Sequence, residues 1–180
     1  MIDPRKMSIQ PRNVIITGKI GSGKTTFVKQ ILKLAGTIWG GFFTERISDA
    51  GGAIAHRILT SDGRSAVFAH QSWNHLPKFR DMGYDYRIFE ELGVDILRKV
   101  RNSADLIIMD ELGFMEKDAQ QFQQEVIKCF DCEIPVLAVI KSHSMDHWER
   151  VLNRSDCWKI EMPYDNIDYI LDLISTRINH

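Results

Sequence analysis

The stretch GKIGSGKTT, Gly18 to Thr26, spaces its residues as Gly18-x-x-x-x-Gly23-Lys24-Thr25. That spacing suits wrapping main chain around a row of phosphates. Glycines can take positive φ angles and let backbone N–H groups approach an anion with no Cβ between them. Lys24 would place a cation on the β- and γ-phosphates, and Thr25 would offer its hydroxyl to Mg²⁺. The nucleotide-binding candidates are Gly18, Lys19, Ile20, Gly21, Ser22, Gly23, Lys24, Thr25 and Thr26. A glycine-rich turn can match such a pattern by chance. Here an apolar run, Val14-Ile15-Ile16-Thr17, precedes the pattern and a helical period follows it, as a phosphate loop requires.

A triphosphate site of this kind needs an acid on another buried strand, and LIIMDE supplies it. Asp110 is expected to hold Mg²⁺ together with Thr25. Glu111 is expected to orient the attacking water; the alternative is a strand cap or a surface pair. The run PVLAVI (135–140) leads into Lys141-Ser142-His143. If that strand lies between the first strand and the Asp110 strand, Lys141 or His143 emerges beside the γ-phosphate; otherwise both are solvated loop residues. Among Arg46, Arg57, Arg80 and Arg87, Arg46 is the preferred candidate for an arginine finger, because it ends a strand, although each also reads as a surface charge. The expected catalytic set is thus Glu111, Lys24, Arg46 and Lys141. Trp73, Phe79, Tyr84 and Tyr86 could stack on a base or acceptor, or pack on the core. Cys129-x-x-Cys132 falls short of four zinc ligands even with Cys157. His143 and His147 lack the neighbouring Glu of a metalloprotease pair.

The elements that must position these groups alternate between two periods. Residues 13–17 read as a buried strand, followed by a helix to about Leu34 with Phe27, Ile31 and Leu34 on one face and Gly36 as its stop. Strand candidates at 40–47, 53–60 and 65–69, joined by SDAGG and SDGR, suggest an antiparallel insertion over about 40–87. Residues 70–87 have no period and read as a long functional or mobile loop. A helix follows with Ile88, Leu92, Ile96 and Val100 on one stripe, then a strand at 105–113 and a helix at about 118–130. Further elements are a strand at 135–140, a helix at 144–154, a strand at 157–162 and a helix at 165–178. Strands alternating with helices imply a mainly parallel sheet covered on both faces, an α/β three-layer sandwich.

The chain's 180 residues fit a flexible lead-in (1–12) and one domain (13–180). A net charge of −1, from 23 basic and 24 acidic residues, gives no field for a nucleic-acid backbone or an anionic membrane, so neither is expected as a partner. The first residues, MIDPRKMSIQPR, carry no apolar core behind their charges and do not read as a secretory signal. Three cysteines suit a reducing compartment, and a cytoplasmic location is expected.

Together with the two nucleotide motifs, GFFTERI, ILTSDGRSAVFA, DELGFME and WERVLNRSD stand in an order and spacing that resembles a known family. It is the family of small nucleoside-triphosphatases of the cancer-related type, also found in thermophilic microbes, and the resemblance runs from Val14 to about Asp172. The resemblance implies a P-loop core of the ATPase (RecA-like) type with an antiparallel hairpin insertion. It also implies Mg²⁺ dependence and slow hydrolysis of several nucleoside triphosphates, ATP and GTP among them. It carries over Gly23, Lys24 and Thr25 as phosphate and Mg²⁺ residues, and Asp110 and Glu111 as Mg²⁺ and water residues. The chain departs from the family pattern at Phe114, where the family usually has Lys, and in DMGYDY and PYDNID. A nucleotide or small-molecule kinase, with an acceptor in place of water, and a nucleotide-gated binding module are the alternatives to hydrolysis; no protein partner is indicated.

Overall fold

The computed structural model describes residues 11–144, 146–164 and 166–178. The first ten residues of the expected lead-in therefore lie outside the described residues. Arg12, its last residue, is tied to the body: its amide donates to the Asp156 carbonyl at 3.0 Å. Along the chain the strands are β1 (Asn13–Thr17), β2 (Trp39–Ser48), β3 (Ile54–Thr60), β4 (Ser65–His70), β5 (Lys78–Phe79), β6 (Met82–Tyr84), β7 (Leu106–Leu112), β8 (Val136–Ile140) and β9 (Cys157–Glu161). The helices are α1 (Lys24–Ala35), α2 (Val94–Val100), α3 (Gln120–Asp131), α4 (Glu149–Leu152) and α5 (Ile167–Ile178).

All these strands form one sheet in the order β5-β6-β4-β3-β2-β7-β8-β1-β9. Pairing is parallel from β2 through β7, β8 and β1 to β9. Because side chains alternate across a strand, each core strand feeds two hydrophobic layers. Val14, Ile16, Leu106, Ile108, Leu137 and Val139 pack under α1 and α5. Ile15, Ile107, Met109, Val136, Ala138 and Ile140 pack under α2 and α3. By this alternation Asp110 continues the row of Leu106 and Ile108, on the face that α1 covers.

β2 belongs to two regimes. Trp39–Phe43 pairs with β7 in parallel, and Phe42–Ser48 pairs with β3 antiparallel. The expected antiparallel insertion is present, and its first strand is shared with the core. It is an antiparallel continuation of the core sheet, grown from the far half of a core strand.

Other expectations shift for identifiable reasons. Residues 70–87 are not without structure, since they contain the β5–β6 hairpin on the edge of β4. In α1 the buried apolar residues are Phe27, Val28 and Ile31, whereas Leu34 is 54% exposed because the apolar stripe drifts round the helix. The stripe before α2 also moves. A π turn over Phe89–Gly93 resets the phase, so Phe89, Gly93, Leu97 and Val100 are buried while Ile88 and Leu92 are only partly so. The expected helix over 144–154 is reduced to Glu149–Leu152, preceded by a 3₁₀ turn at Ser142–Ser144. The cause is Trp148, which is buried and donates its indole N–H to the Gly113 carbonyl at 2.9 Å. Met145 and Asp165, within two of the expected helices, lie outside the described residues.

Gly41 marks the point where β2 passes β7. Its φ is 120°, and a Cβ there would fall 2.0 Å from the Ile108 carbonyl oxygen. Gly41→Ala is expected to part β2 from β7 and to destabilise the protein by about 3 kcal/mol or more, read from urea unfolding.

Candidate active site

The loop between β1 and α1 curls as the glycine spacing requires. Gly18, Gly21 and Gly23 have φ values of 138°, 78° and 86°. At Gly21 and Gly23 a Cβ would meet nothing within 4 Å, so conformation, not space, demands glycine there. Gly23 caps α1 with no side-chain hydrogen bond, leaving the first N–H groups of the helix directed into the loop. Lys24 is buried, and its Nζ donates to the carbonyls of Gly18 (3.0 Å) and Lys19 (2.9 Å). A cavity of about 330 Å³ opens here, lined by Ile20, Gly21, Gly23, Lys24, Thr25, Thr26 and Glu111. A row of amides, a helix N-terminus and an ammonium group on one concavity can hold a polyanion.

Asp110 is completely buried in β7, and neither carboxylate oxygen has a hydrogen-bond partner among the described residues. Burial pushes its pKa up to about 6; the Thr25 hydroxyl is the strongest opposing influence, although it completes no hydrogen bond of ordinary geometry. A lone buried carboxylate beside a threonine hydroxyl is an unsatisfied set of hard oxygen donors. It fits a small divalent cation such as Mg²⁺.

Glu111 lies at the cavity edge. Its Oε1 is 2.8 Å from Lys141 Nζ, and its amide donates to Thr44 Oγ1 at 3.3 Å. β8 does lie between β1 and β7, so Lys141, the first residue after β8, emerges beside Glu111. The His143 side chain lies outside the described residues.

The four arginines are sorted by their contacts. Arg57 pairs with Glu45, and Arg87 pairs with Asp85 at 2.6 Å. Arg46 and Arg80 instead line a second cavity, also about 330 Å³, with His56, Lys141 and Glu111. The loop aromatics take packing roles. Tyr84 is buried, with its hydroxyl 3.4 Å from Asp118, and Tyr86 packs against the core. Trp73 stacks on His70 and Phe79 on Phe114. Cys129 is buried in α3, as its place on the apolar face suggests.

Sequence reasoning missed Glu116. It is 3% exposed, its Oε2 accepts the Gly113 N–H at 2.9 Å, and burial lifts its pKa to about 7, with Lys141 opposing. The signal was a single acid behind Gly-Phe-Met, where an apolar residue would have continued the run.

The NTPase family model matches residues 13–175. The chain belongs to the NTPase family. This NTPase is 36% identical over 164 residues to the nucleoside-triphosphatase THEP1 of Thermotoga sp. strain RQ2, spanning 89% of this chain and 92% of the relative. It is similar in structure to THEP1 from Aquifex aeolicus (TM-score 0.75, 28% identity, 93% of this chain and 99% of that one). A human cancer-related nucleoside triphosphatase matches with a TM-score of 0.70 at 25% identity, over 92% of this chain and 96% of that one. The sheet order, with β8 between the phosphate-loop strand and the acidic strand, is accordingly that of a P-loop NTPase fold.

The Asp110 shift has a stability consequence. Its folded pKa of about 6 lies above the ordinary 3.8, so the stabilising proton is fully held below about pH 4 and lost as pH rises through 6. Above that the buried charge costs on the order of 3 kcal/mol in metal-free protein. Asp110→Asn is therefore expected to be the more stable chain in EDTA at pH 8, with the gap closing near pH 4, as measured by urea unfolding.

Proposed function

We propose that this NTPase hydrolyses nucleoside 5′-triphosphates, ATP and GTP included, to the diphosphate and inorganic phosphate with Mg²⁺. The observation that carries the reading is the Asp110 carboxylate, unpartnered among the described residues, beside Thr25 and next to a loop shaped for phosphates, with Glu111 at the cavity edge. The amides from Gly21 to Thr26 bind the phosphates, and Lys24 neutralises the β,γ end. Thr25 and Asp110 would hold the metal, which when bound supplies charge neutralisation at the phosphates. Glu111 orients a water toward the γ-phosphorus and takes up its proton. Lys141 fixes the Glu111 carboxylate in place, and Arg46 approaches the developing charge from the second cavity. Most of the rate would then come from positioning and preset electrostatics rather than covalent chemistry.

Residues 13–180 are read as one domain, since a single sheet carries both the parallel core and its extension. Net charge near zero argues against nucleic acid as a partner. Among the described residues no helix is long and apolar enough to cross a membrane. Three free thiols favour the cytoplasm.

Glu111→Gln should keep nucleotide affinity, measured by calorimetry, and lose about 100-fold or more in turnover. Lys24→Ala should weaken triphosphate binding itself. A Glu111→Gln chain that turns over normally would remove Glu111 from the role given to it. Lys141→Ala should lower kcat with little change in KM, because it acts through Glu111 rather than on the phosphates.

A further inference from the structure

The second cavity adjoins the phosphate loop, because Ile20 and Glu111 line both. Its wall comes from the sheet extension: Arg46 on β2, His56 on β3, and Arg80 in the turn between β5 and β6. Neither the Arg46 nor the Arg80 guanidinium forms an ion pair among the described residues, whereas Lys141 is taken by Glu111. Asp81 lines the same cavity within the field of both arginines; its carboxylate accepts from Gln71 Nε2 at 2.9 Å and makes no ion pair with either among the described residues. The floor is apolar, with Ile54, Met82 and Met115. An apolar floor strengthens any charge pairing formed above it.

Arg80 is held there against its backbone preference. With φ 56° it is the one non-glycine residue of positive φ among the described residues, at a turn where glycine or asparagine would be unstrained. The strain is offset by contacts that aim the turn. Phe79 stacks on Phe114 at 4.6 Å between ring centroids, and the Arg80 guanidinium lies 5.4 Å from the Phe79 centroid. Phe114 follows Gly113 directly, so the hairpin is clamped to the same strand end that presents Glu111. An outlier that places in a cavity a guanidinium without an ion pair among the described residues is a reason to look for its ligand.

We infer that this cavity is a second phosphate site, taking a tetrahedral phosphate dianion between Arg46 and Arg80 next to the γ-position. The inference rests on the reading that the γ-phosphate lies at Glu111. Two guanidinium groups match a dianionic phosphate better than a monoanion. The phosphate has two sources: the inorganic phosphate released by hydrolysis, or the phosphate of a second substrate whose apolar body lies on the floor. In the second case an oxygen of the bound phosphate attacks the γ-phosphorus, the bond from that phosphorus to the bridging oxygen breaks, and the nucleoside diphosphate leaves; a dianionic acceptor needs no proton removed.

The test uses the full chain saturated with ADP and Mg²⁺, titrated with inorganic phosphate in a calorimeter. Wild type should bind phosphate, Arg80→Ala should weaken that binding about tenfold or more, and Arg80→Lys should recover part of it. ADP affinity should stay at its wild-type value in both variants, and a cooperative thermal transition in Arg80→Ala would show that the chain still folds. A parallel arm supplies ATP labelled on its γ-phosphate with AMP or ribose 5-phosphate. Label in the added phosphomonoester assigns the site to an acceptor; label only in inorganic phosphate, with phosphate binding sensitive to Arg80, assigns it to the product. Phosphate binding unchanged by Arg80→Ala, or absent together with any label transfer, overturns the inference. Hydrolysis by wild type in the same assay is scored separately, so its absence would count against the nucleotide reading instead.

Discussion

A carboxylate buried without a partner is the constraint around which the molecule is arranged. Asp110 sits in the middle of a parallel sheet with no hydrogen bond to either oxygen among the described residues. In a domain stabilised by a small difference between large terms, such a group is retained only where something else requires it. Its position on the face beneath α1 places it against Thr25, and therefore against the turn that opens toward phosphates. The register of β7, the packing of α1 and the conformations of Gly18, Gly21 and Gly23 all serve that one juxtaposition.

The next layer of charge is compensated differently. Glu111 is 22% exposed and met by Lys141 at 2.8 Å, so its orientation is fixed at less desolvation cost than full burial would carry. Glu116 is buried and takes the Gly113 N–H, which holds the chain as it leaves β7. Trp148 accepts the task from the other side by donating to the Gly113 carbonyl. The short stretch 111–116 is thus secured by the Lys141 ion pair and by hydrogen bonds that include those of Thr44, Glu116 and Trp148, and a reacting group set on it has little freedom to move away.

β2 is the element that joins this core to the rest. Its first half completes the parallel sheet and its second half starts the antiparallel one. The switch within one strand carries Arg46, His56 and the Arg80 turn round to the side where Glu111 emerges. Two kinds of sheet, each ordinary alone, make a walled cavity only because one strand is shared.

Local pattern determined the parts whose physics is local. Gly-x-x-x-x-Gly-Lys-Thr dictated a turn with positive φ and a helix start, and a continuous apolar run ending in Asp110 marked a strand buried on both faces, so the phosphate loop, its acid and the alternation of strands and helices were legible before any coordinates. What depends on distant contacts was not. The π turn that rephases the helix after Tyr86, the short β5–β6 hairpin in a stretch without period, and the bend at Trp148 each answer to partners far along the chain. The sorting of Arg46 and Arg80 from Arg57 and Arg87 was likewise decided in space, because a guanidinium is free or paired according to which strand lies beside it, and strand order is a property of the folded sheet.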